Sequence, residues 1–198
     1  MKKYIKNIVP VAALLLTMGT ATSCVGDLDV TPINPNIQTG LNIDGLFNKC
    51  YANFALAGNG GANGDCDIDG IDGGTSGFVR QTFNANELPT DEAICGWGDD
   101  GIAGFCYNSY NASNPMLQGL YARITTGIAY CNQYLAEAGD QDVTKLAEIR
   151  FLRAYEYYSL MDGWGNIPFT LQPLTKPERY TRAQVYEWLE KELLEIEP

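Results

Sequence analysis

The sequence predicts a mostly α-helical chain of antiparallel, tetratricopeptide-like (TPR-like) helix pairs, with a loop-rich insertion set into the helical scaffold. Three observations carry that prediction. Apolar residues recur at helical spacing from Pro115 onward. Glycines close the helical runs at Gly139 and again at Gly163 and Gly165. Residues 58–114 hold 12 of the 21 glycines and break both the helical and the strand period.

The N-terminus reads as an export signal. Lys2, Lys3 and Lys6 make a positive start, and Val9 to Leu16 is an apolar core that contains Pro10. That core is shorter than the roughly 20 residues a bilayer span requires. Small residues follow, and Ala21-Thr22-Ser23-Cys24 forms a relaxed lipobox, in which Ala21 stands where Leu is usual. Residues 1–23 are expected to be a cleaved signal peptide. Cys24 is then the lipidation site, anchoring the chain to a membrane with Asp27 and Asp29 in a solvated tether.

Removing residues 1–23 takes away three lysines and no acid, so ten basic residues face 24 acidic ones, net −14. Such a surface repels phosphate backbones, which argues against nucleic acid and favours a neutral ligand or a cation. The chain has no histidine. Within this stretch that excludes Ser-His-Asp and Cys-His catalysis and His-ligated zinc, and no cofactor or metal is expected. With Cys24 acylated, five cysteines remain, an odd number that cannot all pair within one chain. Cys95 and Cys106 flank a Gly-rich loop and can be read either as a pair or as two small apolar residues.

Residues 25–40 read as extended, since Pro32 and Pro35 keep them out of a helix. Leu46, Phe47, Cys50, Tyr51 and Phe54 place an amphipathic helix over 43–57. In the insertion, Phe78-Val79 and Thr82-Phe83 read as short β-like runs that argue for order. Asp65 to Asp72 begins like a calcium loop, but Ser76 occupies the twelfth position, where an EF-hand needs a bidentate Glu. Asx-turn chemistry is the preferred reading there.

Pro115 starts a helix whose stripe is Leu117, Leu120, Tyr121, Ile124, Ile128, Cys131 and Leu135. A second helix covers 143–161 and is apolar over most of its girth, so it is expected to be largely buried. Its Arg150 and Arg153 are expected to pair internally with Glu148 and Glu156. A third helix opens at Thr181, where Thr181 and Gln184 make a capping box. Its pattern is still helical at 187–197, and a single helix pair is too few for a stable solenoid. The sequence therefore predicts a longer chain, of which residues 24–198 are the N-terminal part.

Several segments together resemble the SusD/RagB family of surface glycan-binding lipoproteins. They are Ser23-Cys24 with Gly26-Asp27-Leu28-Asp29, the Pro32 to Pro35 stretch, Asp67-Ile68-Asp69-Gly70, and Gly77-Phe78-Val79-Arg80. Phe83 to Glu92, Ala147 to Ala154 and Gly163-Trp164-Gly165-Asn166-Ile167-Pro168-Phe169 complete the set. Phe83 to Glu92 brings the chain close to the starch-binding member. The resemblance implies a TPR scaffold and a non-enzymatic receptor in the outer membrane, facing the cell surface. It also implies delivery of neutral oligosaccharide to a SusC-like TonB-dependent transporter.

The resemblance places glycan-binding roles on Arg80, Trp97 and Asp100 of this sequence. Asp100 stands where the starch-binding member has Asn, and Cys95 stands where it has a second aromatic. A third aromatic of the same arc would fall beyond residue 198. The chemistry is sound in its own terms. An indole stacks on the C–H face of a sugar, an arginine fork donates to ring hydroxyls, and a carboxylate accepts hydroxyl protons. Two rivals remain: a glycoside hydrolase using carboxylates such as Asp91, Glu92, Asp99 and Asp100, and a TPR scaffold that binds only protein.

Overall fold

The computed structural model describes residues 41–58, 66–69, 71–139 and 142–197. The expected signal segment 1–23, the expected lipidation site Cys24 and the stretch 25–40 lie outside the described residues. In chain order the elements are α1 (Ile43–Ala55), α2 (Phe78–Glu87), α3 (Ile102–Cys106), α4 (Pro115–Glu137), α5 (Val143–Trp164), β1 (Ile167–Phe169), β2 (Glu178–Tyr180) and α6 (Arg182–Ile196).

The long helices begin where local chemistry dictates. Asn42 Oδ1 accepts from the Gly45 N–H to cap α1. Asn114 Oδ1 accepts from the N–H groups of Met116 and Leu117, with Pro115 at the first helical position of α4. Asp142 caps α5 through the N–H groups of Thr144 and Lys145, and Gly165, at φ 73°, ends it. Thr181 and Gln184 form the expected capping box at α6.

α4 packs on α5, α5 on α6 and α1 on α4, as expected for a helical scaffold. Ile124, Tyr157, Leu160, Ile167 and Val185 are sealed in one core cluster. Cys50, Cys131, Tyr134, Ile149 and Leu152 form a second between α1, α4 and α5. Each fully buried aliphatic side chain contributes about 1.5–3 kcal/mol relative to exposure. The β1–β2 hairpin, with Ile167 opposite Tyr180 and Phe169 opposite Glu178, is tied to α5 by Tyr157. The Tyr157 hydroxyl donates to the Thr170 carbonyl at 2.6 Å and accepts from the Thr170 N–H at 3.0 Å. Burial pushes its pKa up to about 12.

Three expectations are corrected. Phe78-Val79 and Thr82-Phe83 are not β-like; they lie in α2. Its buried face is Phe78, Gln81 and Asn84, and the two amides on that face hide the helical period from an apolar count. The second long helix is less enclosed than its composition suggests, because Phe151, Tyr155 and Tyr158 are exposed along one flank. Arg150 and Arg153 do pair internally, but with Glu192 and Glu195 of α6 rather than Glu148 and Glu156. Arg153 and Glu156 stand three apart on one helix face, but Arg150 and Glu148 stand two apart and do not face each other, and the neighbouring helix offers Arg150 a bidentate carboxylate in Glu192.

Glu156 instead joins a buried polar cluster that fastens the insertion to the helices. Arg123, fully buried on α4, pairs with Asp67 at 2.8 Å. It also donates to the Ser76 carbonyl at 3.0 Å, the Ala57 carbonyl at 3.0 Å and Asn53 Oδ1 at 3.2 Å. Asn53 in turn donates to Glu156 Oε1 at 2.7 Å. One guanidinium thus holds both ends of the Ala57–Ser76 excursion, and the second end leads directly into α2.

Candidate functional site

α2 presents Arg80 beside the segment that connects α2 to α3. Arg80 Nη1 donates to the Gly74 carbonyl at 2.5 Å and Nη2 forms an ion pair with Asp99. Its guanidinium carbon lies 5.0 Å from the centre of the Trp97 ring, within cation–π range. Trp97 is 67% exposed, and its neighbours Gly96 and Gly98 border open space. The indole is therefore an outward platform with a cation beside it.

The segment that carries Trp97 is pinned at several points. Asn108 Nδ2 donates to the Pro89 carbonyl at 3.0 Å, and Asn114 Nδ2 donates to the Gly101 carbonyl at 2.8 Å. Gly101 adopts φ 88°, and a Cβ there would meet Asn114 Oδ1 at 2.9 Å, so both backbone conformation and space require glycine. Asn114 thereby caps α4 and fixes the end of the site segment at once.

Of the three expected site residues, Arg80 and Trp97 come together and Asp100 stands apart from their contact. Asp100 is exposed, and Arg80 takes the preceding carboxylate, Asp99. The sequence carried both acids side by side, but spacing alone did not decide between them. Cys95 is half-buried and packs against the small core of Leu88, Ile102, Phe105 and Met116. Cys95 and Cys106 are free thiols, with the Cys95 N–H 3.5 Å from Cys106 Sγ. Tyr107 and Tyr110 are both exposed, and Tyr110 also packs on Phe105 with ring centres 5.3 Å apart. Ile94, 75% exposed, adds an apolar surface that sequence reading overlooked.

Asp67, of the calcium-like segment, is engaged by Arg123 and lies 3.8 Å from Lys49. Among the described residues, no group of three or more metal-ligating side chains is gathered.

No family model matches the chain. The starch-binding protein SusD of Bacteroides thetaiotaomicron is 38% identical over 203 residues, an alignment covering 98% of this chain. The chain is SusD-like. It spans 36% of the length of that relative. Solved structures support the same fold at lower identity. Surface glycan-binding protein A from Bacteroides fluxus matches with a TM-score of 0.57 and 21% identity, over 78% of this chain and 32% of that one. Its counterpart from Bacteroides uniformis gives 0.56 and 22%, over 78% and 33%. A SusD-like carbohydrate-binding protein from Bacteroides fragilis gives 0.52 and 17%, over 78% and 30%. The helical scaffold is therefore that of the N-terminal third of SusD-like proteins.

Proposed function

We propose that this SusD-like chain supplies part of the binding surface of a non-catalytic receptor for neutral oligosaccharide. The observation that carries the reading is the exposed indole of Trp97 beside Arg80. The indole offers an apolar ring face to sugar C–H groups, while the Arg80–Asp99 pair beside it supplies donors and acceptors. The 38%-identical relative is a starch-binding protein, which makes an α-glucan the first ligand to try. In this reading Cys24 carries the lipid anchor at the outer membrane. The receptor hands its sugar to a SusC-like TonB-dependent transporter, and tethering raises the local sugar concentration. No carboxylate in this reading has a catalytic role.

The test is calorimetry of the whole protein with maltoheptaose. Trp97→Ala is expected to weaken binding at least several-fold, since a well-buried aromatic contact is worth about 1–3 kcal/mol. Unchanged affinity in a folded Trp97→Ala protein removes Trp97 from the site. Release of reducing ends during the incubation would favour the hydrolase instead.

A further inference from the structure

A second concave surface lies on the far flank of α2. It is a cleft of about 420 Å³ between α2, α4 and α5, a size typical of small-ligand sites. Tyr110, Tyr158 and Trp164 contribute aromatic rings to its wall, and Asn86, Ser159 and Asp162 contribute polar groups. We propose that this cleft is a second subsite for neutral oligosaccharide, separate from the Arg80–Trp97 surface. The inference rests on the glycan-binding reading above.

The chemistry of the cleft repeats that of the first site. At the first, a tryptophan sits two residues before an aspartate that pairs with an arginine: Trp97, Asp99 and Arg80. At the second, Trp164 lies two residues after Asp162, which pairs with Arg182 at 3.3 Å. Arg182 balances the charge of Asp162, so the cleft needs no cation to fill it. Trp164 is held edge-on by Tyr121, ring centres 5.4 Å apart, which fixes the indole before any ligand arrives. The lining joins the apolar side chains of Leu117, Leu120 and Ile124 to aromatic rings and to hydroxyl, amide and carboxylate groups. That mixture matches the C–H faces and hydroxyl rims of a saccharide better than it matches a lipid or an apolar helix.

The geometry of α2 joins the two surfaces. At 3.6 residues per turn, Thr82 and Asn86 of the cleft lie roughly 120–160° around the helix from Arg80. Val79 and Phe83, 67% and 54% exposed, occupy the arc between them as an apolar ridge. A helix with its side chains is about 10–12 Å across, so a glycan that fills both surfaces must also reach over that ridge, which favours a heptasaccharide over a trisaccharide. A long glycan therefore engages both surfaces at once, and a short one engages them independently.

Calorimetry of the whole protein with maltotriose and with maltoheptaose tests this. Gly163 lines the cleft on α5, and a Cβ there meets nothing within 4 Å, so Gly163→Leu blocks the cleft without disturbing the core. Tyr158→Ala, at a half-exposed ring, removes part of the wall as a second, independent variant. The unaltered protein is expected to take two equivalents of maltotriose, and Gly163→Leu, Tyr158→Ala or Trp97→Ala each to leave one. Maltoheptaose is expected to bind on the order of a hundredfold more tightly than maltotriose only while both surfaces are intact.

If Gly163→Leu and Tyr158→Ala leave stoichiometry and maltoheptaose affinity unchanged, the cleft is not a subsite. If the unaltered protein takes a single equivalent that Trp97→Ala abolishes, the cleft fails while the first reading stands. If only the cleft variants lose binding, the cleft stands and the Arg80–Trp97 surface fails. Absence of binding to either sugar overturns both.

Discussion

The guanidinium of Arg80 faces three partners at once, the ring of Trp97 at 5.0 Å, the carboxylate of Asp99 and the carbonyl of Gly74. Asp99 orients the fork, and the fork steadies the indole. An exposed cation–π contact contributes about 0.5–1 kcal/mol and a partly exposed ion pair about 0.2–1 kcal/mol. Asp99→Ala is therefore expected to weaken maltoheptaose binding about two- to fivefold while leaving the urea unfolding midpoint nearly unchanged. Arg80→Lys keeps the charge but loses the planar fork, so it should bind more weakly than the unaltered protein. Isotherms for Asp99→Ala and Arg80→Lys that match the parent would mean that neither residue positions the ring.

Gly127 lies where α4 crosses Asn53 and Glu156. A Cβ at Gly127 would overlap Glu156 Oε1 and Asn53 Nδ2, both buried. Those atoms belong to the cluster through which Arg123 anchors the insertion, so they have little room to move. Gly127→Ala gains helix propensity yet is expected to destabilise the fold by about 1–3 kcal/mol, the usual cost of overpacking. Urea denaturation measures it, and a variant as stable as the parent would show that the cluster yields.

The helices from Pro115 onward were legible because caps and apolar stripes agree: Asn114-Pro115, Thr181 with Gln184, and Ile124, Ile128 and Cys131 all point the same way. α2 was not legible, because its buried face is made of Gln81 and Asn84 as well as Phe78, and periodicity of apolar residues cannot register amides. Arg123 went unnoticed for a related reason. A charged residue on an apolar stripe reads as a surface position until the carbonyls of Ala57 and Ser76, 66 and 47 residues away in sequence, are found around it. At the site, the pairing of Arg80 with Asp99 rather than Asp100 depends on the turn before α3, which no motif encodes.

Thiol reactivity should divide the described cysteines into classes. Cys50 and Cys131 are buried between α1 and α4. The neighbouring Cys50 thiol and burial both push Cys131 far above the usual thiol range, which suppresses its reactive thiolate. Cys95 and Cys106 are only half-buried. With an aromatic disulfide reagent at about pH 8, Cys95 and Cys106 are expected to react in the native protein, and Cys50 and Cys131 only after denaturation. Mass mapping of the labelled sites checks this, and prompt native labelling of Cys131 would mean that the α1–α4 contact opens readily.

Two buried carboxyls should give the stability profile opposing slopes. Burial raises Glu156 well above its ordinary value of 4.5, against the Asn53 hydrogen bond and the Arg123 charge. An acid whose folded pKa exceeds its unfolded one contributes stability that is complete below about 4.5 and is lost as the pH rises towards the folded value. Glu192 runs the other way. Desolvation raises it, but hydrogen bonds and charge from Arg150 and Arg153 outweigh that, and its net pKa falls. Its contribution is present above 4.5 and is lost as the pH falls through the folded value. Urea midpoints should therefore show Glu156→Gln gaining on the unaltered protein as the pH rises above 4.5. The deficit of Glu192→Gln should shrink as the pH falls below 4.5. Glu156→Gln keeps the side-chain shape and the Asn53 contact at Oε1, so a pH dependence parallel to the parent's would mean that the carboxyl of Glu156 titrates as it does in the unfolded chain.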